Sequence, residues 1–240
     1  MKDFLLENRF LIINSFEVMA AAIGLILLKF YKPKAEKYFI YFLIYVIFIE
    51  VIGYYPTLFY EIESLNFLRE FLRGTYFSRN YWWYTIFWKF GAVIFYAFYF
   101  NKILEIAMHR KILKYSTFLF LIIGVSSIVI SWPSVFKSSL ALVNIIGGLI
   151  ILECAFLFFI EMLNNEKILN FHKSLSFYIS LAILIFWLIK TPLVFYEVYF
   201  QYNDSNYIEI RSLINIFVNV FMYSTFAIGL IVSKPKLSSK

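Results

Sequence analysis

The sequence predicts an all-α fold, a polytopic membrane bundle of seven transmembrane helices in a single domain that covers residues 1–240. Hydrophobic residues make up 62% of the 240 residues, and the mean hydropathy is +0.77. Seven apolar runs each reach the roughly 17–25 residues with which a helix crosses a hydrocarbon core of about 30 Å. The longest connections, 60–80 and 102–114, are too short to fold as independent domains. The chain is therefore expected to lie almost entirely within the membrane.

The seven runs are the elements of the predicted bundle, and they cover about 10–30, 38–59, 81–101, 115–132, 140–162, 174–196 and 211–233. The first run is interpreted as a retained span. Small residues at 20–22 resemble a signal-peptide cleavage site, but apolar residues continue to Leu28. Asp3 and Glu7 also interrupt the cationic segment that begins a signal peptide.

Local sequence features modify several of these runs. Gly53 and Pro56 in the second run, and Pro192 in the sixth, weaken the hydrogen-bond ladder of a helix. The third run opens on Tyr-Trp-Trp-Tyr at 81–84, which is typical of a helix end at the lipid headgroups. Apolar residues at helical spacing over 65–72, with Ser64 as the expected N-cap, predict a short amphipathic helix in the interface.

Basic residues fall unevenly on the alternate connections between runs. The loops 29–37, 102–114 and 163–173 and the tail 234–240 hold 13 of the 22 Lys and Arg residues, whereas the opposite side holds seven. Basic residues close to helix ends stay on the cytoplasmic side. The predicted topology is therefore N-out and C-in, as a multi-pass protein of the inner (cytoplasmic) membrane. The net charge of +7 indicates contact with the anionic lipid bilayer and no nucleic-acid partner.

Several classes of chemical site have no signature in the sequence. It contains neither the HExxH motif of zinc proteases nor the GxSxG motif of serine hydrolases. His109 and His172 fall in cytoplasmic loops without metal-ligand spacing, and a single cysteine, Cys154, excludes an intrachain disulfide. We therefore assign no catalytic residue, no metal and no cofactor, and an enzyme is the least favoured interpretation.

Four ionisable residues inside the runs form the main candidate site. A charged side chain within the membrane costs about 2.5–3.5 kcal/mol or more, so such residues indicate functional sites. Glu17, Glu50, Lys89 and Lys190 lie at a similar depth, roughly 9–14 Å from the outward-facing helix ends at 1.5 Å per residue. We expect the two acids and two bases to neutralise one another among helices one, two, three and six.

The seventh run carries a polar stripe, Arg211, Asn215, Asn219 and Tyr223, whose members are four residues apart and so share one helical face. We expect this stripe to face the same cluster, because it does not suit a lipid-facing surface. Two interpretations of the cluster stay open, a ligand-binding pocket and a structural network that fixes helix register.

Glu153 stands apart from these four residues. It lies deeper towards the cytoplasm, and no basic residue of the sequence is expected at its level. Two roles remain open, a buried neutral acid that is hydrogen-bonded across helices and a proton-relay acid.

Three segments carry a resemblance to known proteins. Glu50-Val51-Ile52-Gly53-Tyr54-Tyr55, the stretch from Asn80 to Phe87 and Phe177-Tyr178-Ile179-Ser180-Leu181 together resemble small seven-helix integral membrane proteins of Bacteroidota. Members commonly carry an acid in the third helix, where this chain has Lys89. The resemblance implies the membrane class and its topology, and it implies no activity.

Two functions are compatible with these patterns. The favoured one is a sensory or accessory module whose outward polar cluster binds a ligand, a lipid or a partner helix, and whose basic loops contact a separate cytoplasmic or membrane signalling protein. The alternative is a small transporter or channel that uses the same intramembrane charges. The sequence leaves the ligand, the partner and the oligomeric state open.

Overall fold

The computed structural model describes residues 2–31, 35–199 and 205–235, without the side chains of 166–168, 195–199 and 205–206. All regular secondary structure in these residues is helical. The helices are α1 (Lys2–Glu7), α2 (Arg9–Leu27), α3 (Glu36–Gly53), α4 (Tyr55–Glu61), α5 (Asn66–Leu72), α6 (Tyr81–Trp83), α7 (Gly91–Ile103), α8 (Ala107–Ile130), α9 (Trp132–Val135), α10 (Ala141–Leu163), α11 (Leu175–Tyr199) and α12 (Ser205–Val232). A π-helical segment, Tyr84–Phe90, joins α6 to α7, and 3₁₀ turns cover Leu28–Tyr31, Glu63–Leu65, Tyr76–Ser78 and Glu166–Lys173.

Five helices of the described chain are long and apolar enough to cross a membrane, which makes this a multi-pass membrane protein. They are Arg9–Tyr31, Ala107–Ile130, Ala141–Leu163, Leu175–Val194 and Tyr207–Val232. α3 and α4 meet the same criterion together and form a sixth candidate, with a bend of 41° between them. The third predicted run is divided among α6, the π-helical segment and α7, which follow one another without a gap.

The bend between α3 and α4 arises at the residues that the sequence indicated. α3 ends at Gly53, and Pro56 occupies the first turn of α4. Proline has no N–H to donate and its ring clashes with the carbonyl four residues earlier, so the axis cannot continue straight. Pro192, by contrast, lies inside α11, which continues through it to Tyr199.

The spanning helices form a closed ring. Contacts run from α3 to α2, then to α12, α11, α10 and α7, and α7 returns to α3, while α8 packs outside against α7 and α10. Aromatic side chains fill the interior. The rings of Phe42 and Phe95 stack with their centroids 4.0 Å apart, and Phe39 meets Phe226 edge-on at 4.8 Å. Such pairs add about 0.5–1.5 kcal/mol to the free energy of burial.

Hydrogen bonds join the connections at each end of the ring. At the end that carries α4, which we call the α4 end, the Tyr55 hydroxyl lies within hydrogen-bond distance of the carbonyls of Phe77, at 2.6 Å, and Arg79, at 2.9 Å. At the opposite end, the Tyr31 end, the Tyr31 hydroxyl donates to the carbonyl of Leu230 at 2.8 Å. Helix ends are thus grouped as an up-and-down bundle requires.

The predicted amphipathic helix is present, but its start differs from the prediction. α5 begins at Asn66 after a 3₁₀ turn, and Leu65 rather than Ser64 occupies the N-cap position without a side-chain hydrogen bond. Phe67 and Phe71, one turn apart on α5, are 66% and 76% exposed. Of the predicted basic set, Lys32, Lys34, Lys236 and Lys240 lie outside the described residues, as does the side chain of Lys167.

Candidate functional site

The bend between α3 and α4 holds a carboxyl group against a tyrosine. The Tyr84 hydroxyl donates to Oε2 of Glu50 at 2.7 Å. Tyr84 lies over Gly53, where an added Cβ atom would be 2.7 Å from the hydroxyl oxygen. Two further side chains fix this junction, since Asn80 Nδ2 donates to the Gly53 carbonyl at 2.7 Å and Trp83 Nε1 donates to the Ile49 carbonyl at 2.9 Å. Tyr84 begins the π-helical segment, a backbone form that is frequent at functional sites.

A second carboxyl group lies behind the first, towards the middle of the bundle. Glu17 on α2 is only 4% exposed, and its Oε1 receives no hydrogen bond from the described residues. It interacts electrostatically with Glu50, and its carboxyl group meets the hydroxyl of Tyr223 on α12, which is also 4% exposed. We call Glu17, Glu50, Tyr84 and Tyr223 the acid–tyrosine cluster.

The cluster borders a groove of about 1360 Å³ between α1 and α2 on one side and α3 and α4 on the other. Glu50 and Tyr84 form part of its wall, and Glu7 and Glu61 lie nearer to the α4 end. No Lys, Arg or His side chain is among the lining residues. We call this the acidic groove, and its lining is Glu7, Asn8, Phe10, Leu11, Asn14, Ser15, Val18, Met19, Glu50, Gly53, Tyr54, Thr57, Glu61, Asn80 and Tyr84.

The two lysines do not join the acids, contrary to the expected charge-balanced arrangement. Among the described residues, no salt bridge connects Lys89 or Lys190 to Glu17 or Glu50. Lys89 Nζ donates instead to Ser139 Oγ at 2.6 Å, because the π-helical segment contacts α10 as well as α3. Lys190 Nζ donates to Asn215 Oδ1 at 2.7 Å, because α11 packs on α12.

The polar stripe of α12 is divided between two levels. Asn215 binds Lys190, and Asn219 Nδ2 donates to the Asn215 carbonyl at 2.7 Å. Tyr223 lies eight residues further along, about 12 Å deeper at 1.5 Å per residue, and it alone of the stripe meets Glu17. Arg211 lies at the other end of the stripe and is half-buried. The structure therefore brings Glu17, Glu50 and Tyr223 together and leaves the rest of the predicted set outside the cluster.

Glu153 is half-buried, on the side of α10 opposite Gly147 and Gly148. Gly147 of α10 packs against α7 and α8, and Gly148 packs against α11. Successive residues of an α-helix are rotated by about 100° about its axis, so Glu153 lies on the side of α10 opposite the direction midway between these two glycines. Leu149, Phe156 and Ile160, which share its face, are 45–50% exposed. Glu153 is thus not part of the acid–tyrosine cluster, and neither role expected for it receives support from its neighbours.

Further polar groups lead from the cluster towards the Tyr31 end. Tyr223 and Tyr96 both line a cavity of about 20 Å³, which is room for a single water molecule. Tyr99 follows Tyr96 three residues later on α7, and its hydroxyl lies 2.8 Å from that of Ser176. Ser176 in turn lines a second groove of about 650 Å³ at the Tyr31 end, together with Glu36, Glu105 and Glu161.

Two residues make contacts that the sequence does not indicate. Tyr84 belongs to a segment typical of the interfacial aromatic belt, and His109 falls in a predicted loop. His109 Nδ1 lies 2.8 Å from Oε1 of Glu161, whose carboxylate also accepts the backbone N–H groups of Glu105 at 2.7 Å and Ile106 at 3.0 Å. Glu161 is 52 residues from His109 along the chain, so no local motif signals this pair.

A third groove, of about 600 Å³, lies at the α4 end and is basic. Arg69, Arg73 and Arg79 line it, and it shares Thr57 and Asn80 with the acidic groove. The guanidinium carbon of Arg69 lies 4.3 Å from the centroid of the Tyr60 ring. Grooves of opposite charge therefore meet at this end of the molecule.

Within the described residues, no group of three or more His, Cys, Asp or Glu side chains has the geometry to hold a metal ion. Comparisons with family models, with curated proteins and with solved structures give no match to this chain. Its function is therefore argued from the site alone.

Proposed function

We propose that this chain is a seven-helix sensory or accessory module of the inner membrane. It binds a ligand in the acidic groove and relays binding to a separate cytoplasmic or membrane signalling protein. The observation that carries the proposal is the groove itself, which is about 1360 Å³ in volume and has the half-buried Glu50 in its wall. The unpaired oxygen of Glu17 lies behind that wall. A purely structural network would leave neither an open volume nor an unpaired carboxyl oxygen beside it.

The proposed topology has seven spans with the α4 end outside. The segment 81–103, which is the third span along the chain, completes the set of seven. Its α- and π-helical parts are continuous and reach about 30 Å. The Tyr31 end carries the basic loops, including Lys102, Arg110 and Lys111, which favours its cytoplasmic location. The acidic groove then opens to the outside.

Cysteine labelling tests this orientation. Cys154, the sole cysteine, is buried, so a Cys154→Ser background carries no accessible thiol. Glu63→Cys at the α4 end and Lys111→Cys at the Tyr31 end replace exposed residues. In intact cells, a membrane-impermeant maleimide is expected to label the first variant, and the second only after permeabilisation. The reverse pattern would refute the outward-facing groove.

The signalling part of the proposal rests on the shortness of the connections at the Tyr31 end, which leave no cytoplasmic domain between the helices. A separate partner must then receive the signal. Mild cross-linking followed by purification is expected to recover one defined protein, and to recover less of it when Arg110 and Lys111 are replaced by glutamine. Repeated recovery of this chain alone would count against the module.

Transport is a second candidate, favoured by the buried polar groups Tyr223, Tyr96, Tyr99 and Ser176 between the grooves at the two ends. Purified protein in vesicles with an imposed pH gradient distinguishes the two functions. Proton flux that Glu50→Gln abolishes would favour the transporter. Flux equal to that of empty vesicles would favour the sensory module.

A further inference from the structure

The acidic groove has a negative charge that no basic side chain of its wall compensates. Glu7, Glu50 and Glu61 supply three carboxyl groups. Arg9 does not line the groove, but its guanidinium group lies 4.8 Å from the ring of Phe10, which does. Lys2 binds Glu209 at 2.5 Å, and Arg69, Arg73 and Arg79 line the neighbouring basic groove. A cation is therefore the ligand that this groove attracts.

Carboxyl oxygen atoms in the groove wall and directly behind it lack hydrogen-bond donors. The Tyr84 hydroxyl binds Oε2 of Glu50, and among the described residues no other group donates to that carboxylate. Glu17 is more than nine-tenths buried, its Oε1 is unpartnered, and it interacts with both Glu50 and Tyr84. Buried carboxyl oxygens without donors are costly, so a ligand that donates hydrogen bonds and carries positive charge is stabilised there.

The opposite wall of the groove is mainly apolar, although Asn14 and Ser15 of α2 also line it. α2 contributes Phe10, Leu11, Val18 and Met19, whose side chains are 38–67% exposed. These side chains line a volume that the apolar part of a ligand, or lipid chains, can fill. The groove is thus amphipathic across its width, with carboxyl groups on α3 and α4 facing an apolar strip on α2.

The described residues do not provide the three-ligand groups that a divalent metal ion requires. We infer that the acidic groove binds an ammonium group that carries an apolar chain, with the ammonium at Glu50 and the chain along α2. This inference names the ligand class of the proposed sensory site and therefore rests on that proposed function. The ammonium donates to Glu50 Oε1 on the side that Tyr84 leaves open.

The test measures hexylammonium binding to the purified full-length protein in detergent, by isothermal titration calorimetry. Hexanol and hexanoate are the neutral and anionic controls of equal chain length. Saturable binding of hexylammonium alone is expected. Glu50→Gln removes one charged hydrogen-bond acceptor and is expected to weaken binding about tenfold to a hundredfold. Glu70→Gln is the matched control, because Glu70 is exposed on α5 and lines neither groove at the α4 end.

Two sources can supply such a ligand, a free amine and an aminophospholipid headgroup. Native mass spectrometry after incubation with phosphatidylethanolamine or phosphatidylglycerol separates them. Selective retention of the ethanolamine lipid, reduced in Glu50→Gln, identifies the lipid source. A lipid also presents a phosphate to the neighbouring basic groove, so Arg73→Gln is expected to reduce lipid retention and to leave hexylammonium binding unchanged.

The outcomes divide clearly. If hexanol or hexanoate binds as well as hexylammonium, or if neither amine source binds, the ammonium inference is overturned. External labelling of the α4 end in the cysteine variants would at the same time leave the proposed ligand-binding function standing. If Glu50→Gln does not elute as a single folded species, Tyr84→Phe replaces it, since it leaves the carboxylate in place and removes only its donor. A loss of affinity of less than about tenfold, or an increase in affinity, is then expected, and a complete loss would contradict the ammonium contact.

Discussion

Replacing Gly53 by alanine tests the contact that positions the acid–tyrosine cluster. A Cβ atom at Gly53 would lie 2.7 Å from the hydroxyl oxygen of Tyr84 and 2.8 Å from its Cζ. Both distances are shorter than carbon atoms tolerate, and they involve the end of a ring rather than a flexible chain. Tyr84 must therefore move, and its 2.7 Å hydrogen bond to Glu50 must lengthen or break.

The expected change in the free energy of unfolding has three parts. Overpacking of this kind costs about 1–3 kcal/mol. Loss of a hydrogen bond to a charged carboxylate costs about 1.5–3 kcal/mol. Alanine offsets up to about 1 kcal/mol, because glycine is the poorer residue in a helix. We expect Gly53→Ala to be destabilised by roughly 2–4 kcal/mol.

The measurement is reversible unfolding of the purified protein in mixed micelles, followed by tryptophan fluorescence. Gly24→Ala is the matched control. Its added Cβ would lie 3.1 Å from Ile40 Cγ2 and 3.6 Å from Leu230 Cδ1, which are longer contacts than those at Gly53, so a smaller loss is expected. The effects of Gly53→Ala and Tyr84→Phe should also be less than additive, because both break the same hydrogen bond. A Gly53→Ala protein as stable as the wild type, with additive effects, would refute the packing of Tyr84 on the α3 bend.

Three further changes test other parts of the structure in the same unfolding assay. Glu161→Ala removes the acceptor of two backbone N–H groups and of His109 and should cost about 2–4 kcal/mol, whereas the exposed control Glu63→Ala should change stability by less than about 0.5 kcal/mol. Glu153→Leu should stabilise the protein by about 1–3 kcal/mol, since it removes a half-buried ionisable group from a face whose apolar side chains are exposed, and a loss of stability would instead indicate a partner on that face. Trp83→Phe removes the 2.9 Å bond to the Ile49 carbonyl and should cost about 1 kcal/mol, and an unchanged stability would show that water replaces the indole.

Much of the helical framework could be predicted from hydropathy, and the deviations have physical causes. The predicted run 140–162 matches Ala141–Leu163 closely. The predicted run 115–132 begins eight residues later than α8, because His109, Arg110, Lys111 and Lys114 lower the hydropathy of its first turns. The Glu161 carboxylate accepts the N–H groups of Glu105 and Ile106, the two residues that directly precede this helix. That carboxylate comes from a distant helix and is invisible to a local pattern.

Only some residues of the candidate site could be predicted from the sequence. The free-energy cost of a charge within the membrane identified four unusual residues, Glu17, Glu50, Lys89 and Lys190. That cost arises whichever way the side chain points. The partner of each residue depends on the rotation of its helix about its own axis. The π-helical segment alters that rotation within the third run, between Tyr84 and Lys89. Hydropathy contains no signal for this change of helical repeat, so the prediction placed Lys89 with the acids.

The separation of acids from lysines is what gives the groove a preference for one charge. Had Lys89 and Lys190 neutralised Glu17 and Glu50, the cluster would have no net charge and would select a ligand by shape alone. Instead, Lys89 donates to Ser139, just before α10, and Lys190 donates to Asn215 of α12. The Glu50 carboxyl group accepts the Tyr84 hydroxyl, which donates a hydrogen bond without cancelling charge. On the proposal that the groove binds a ligand, the charge of that ligand is set by which neighbouring element each lysine faces, and a count of intramembrane charges does not contain this information.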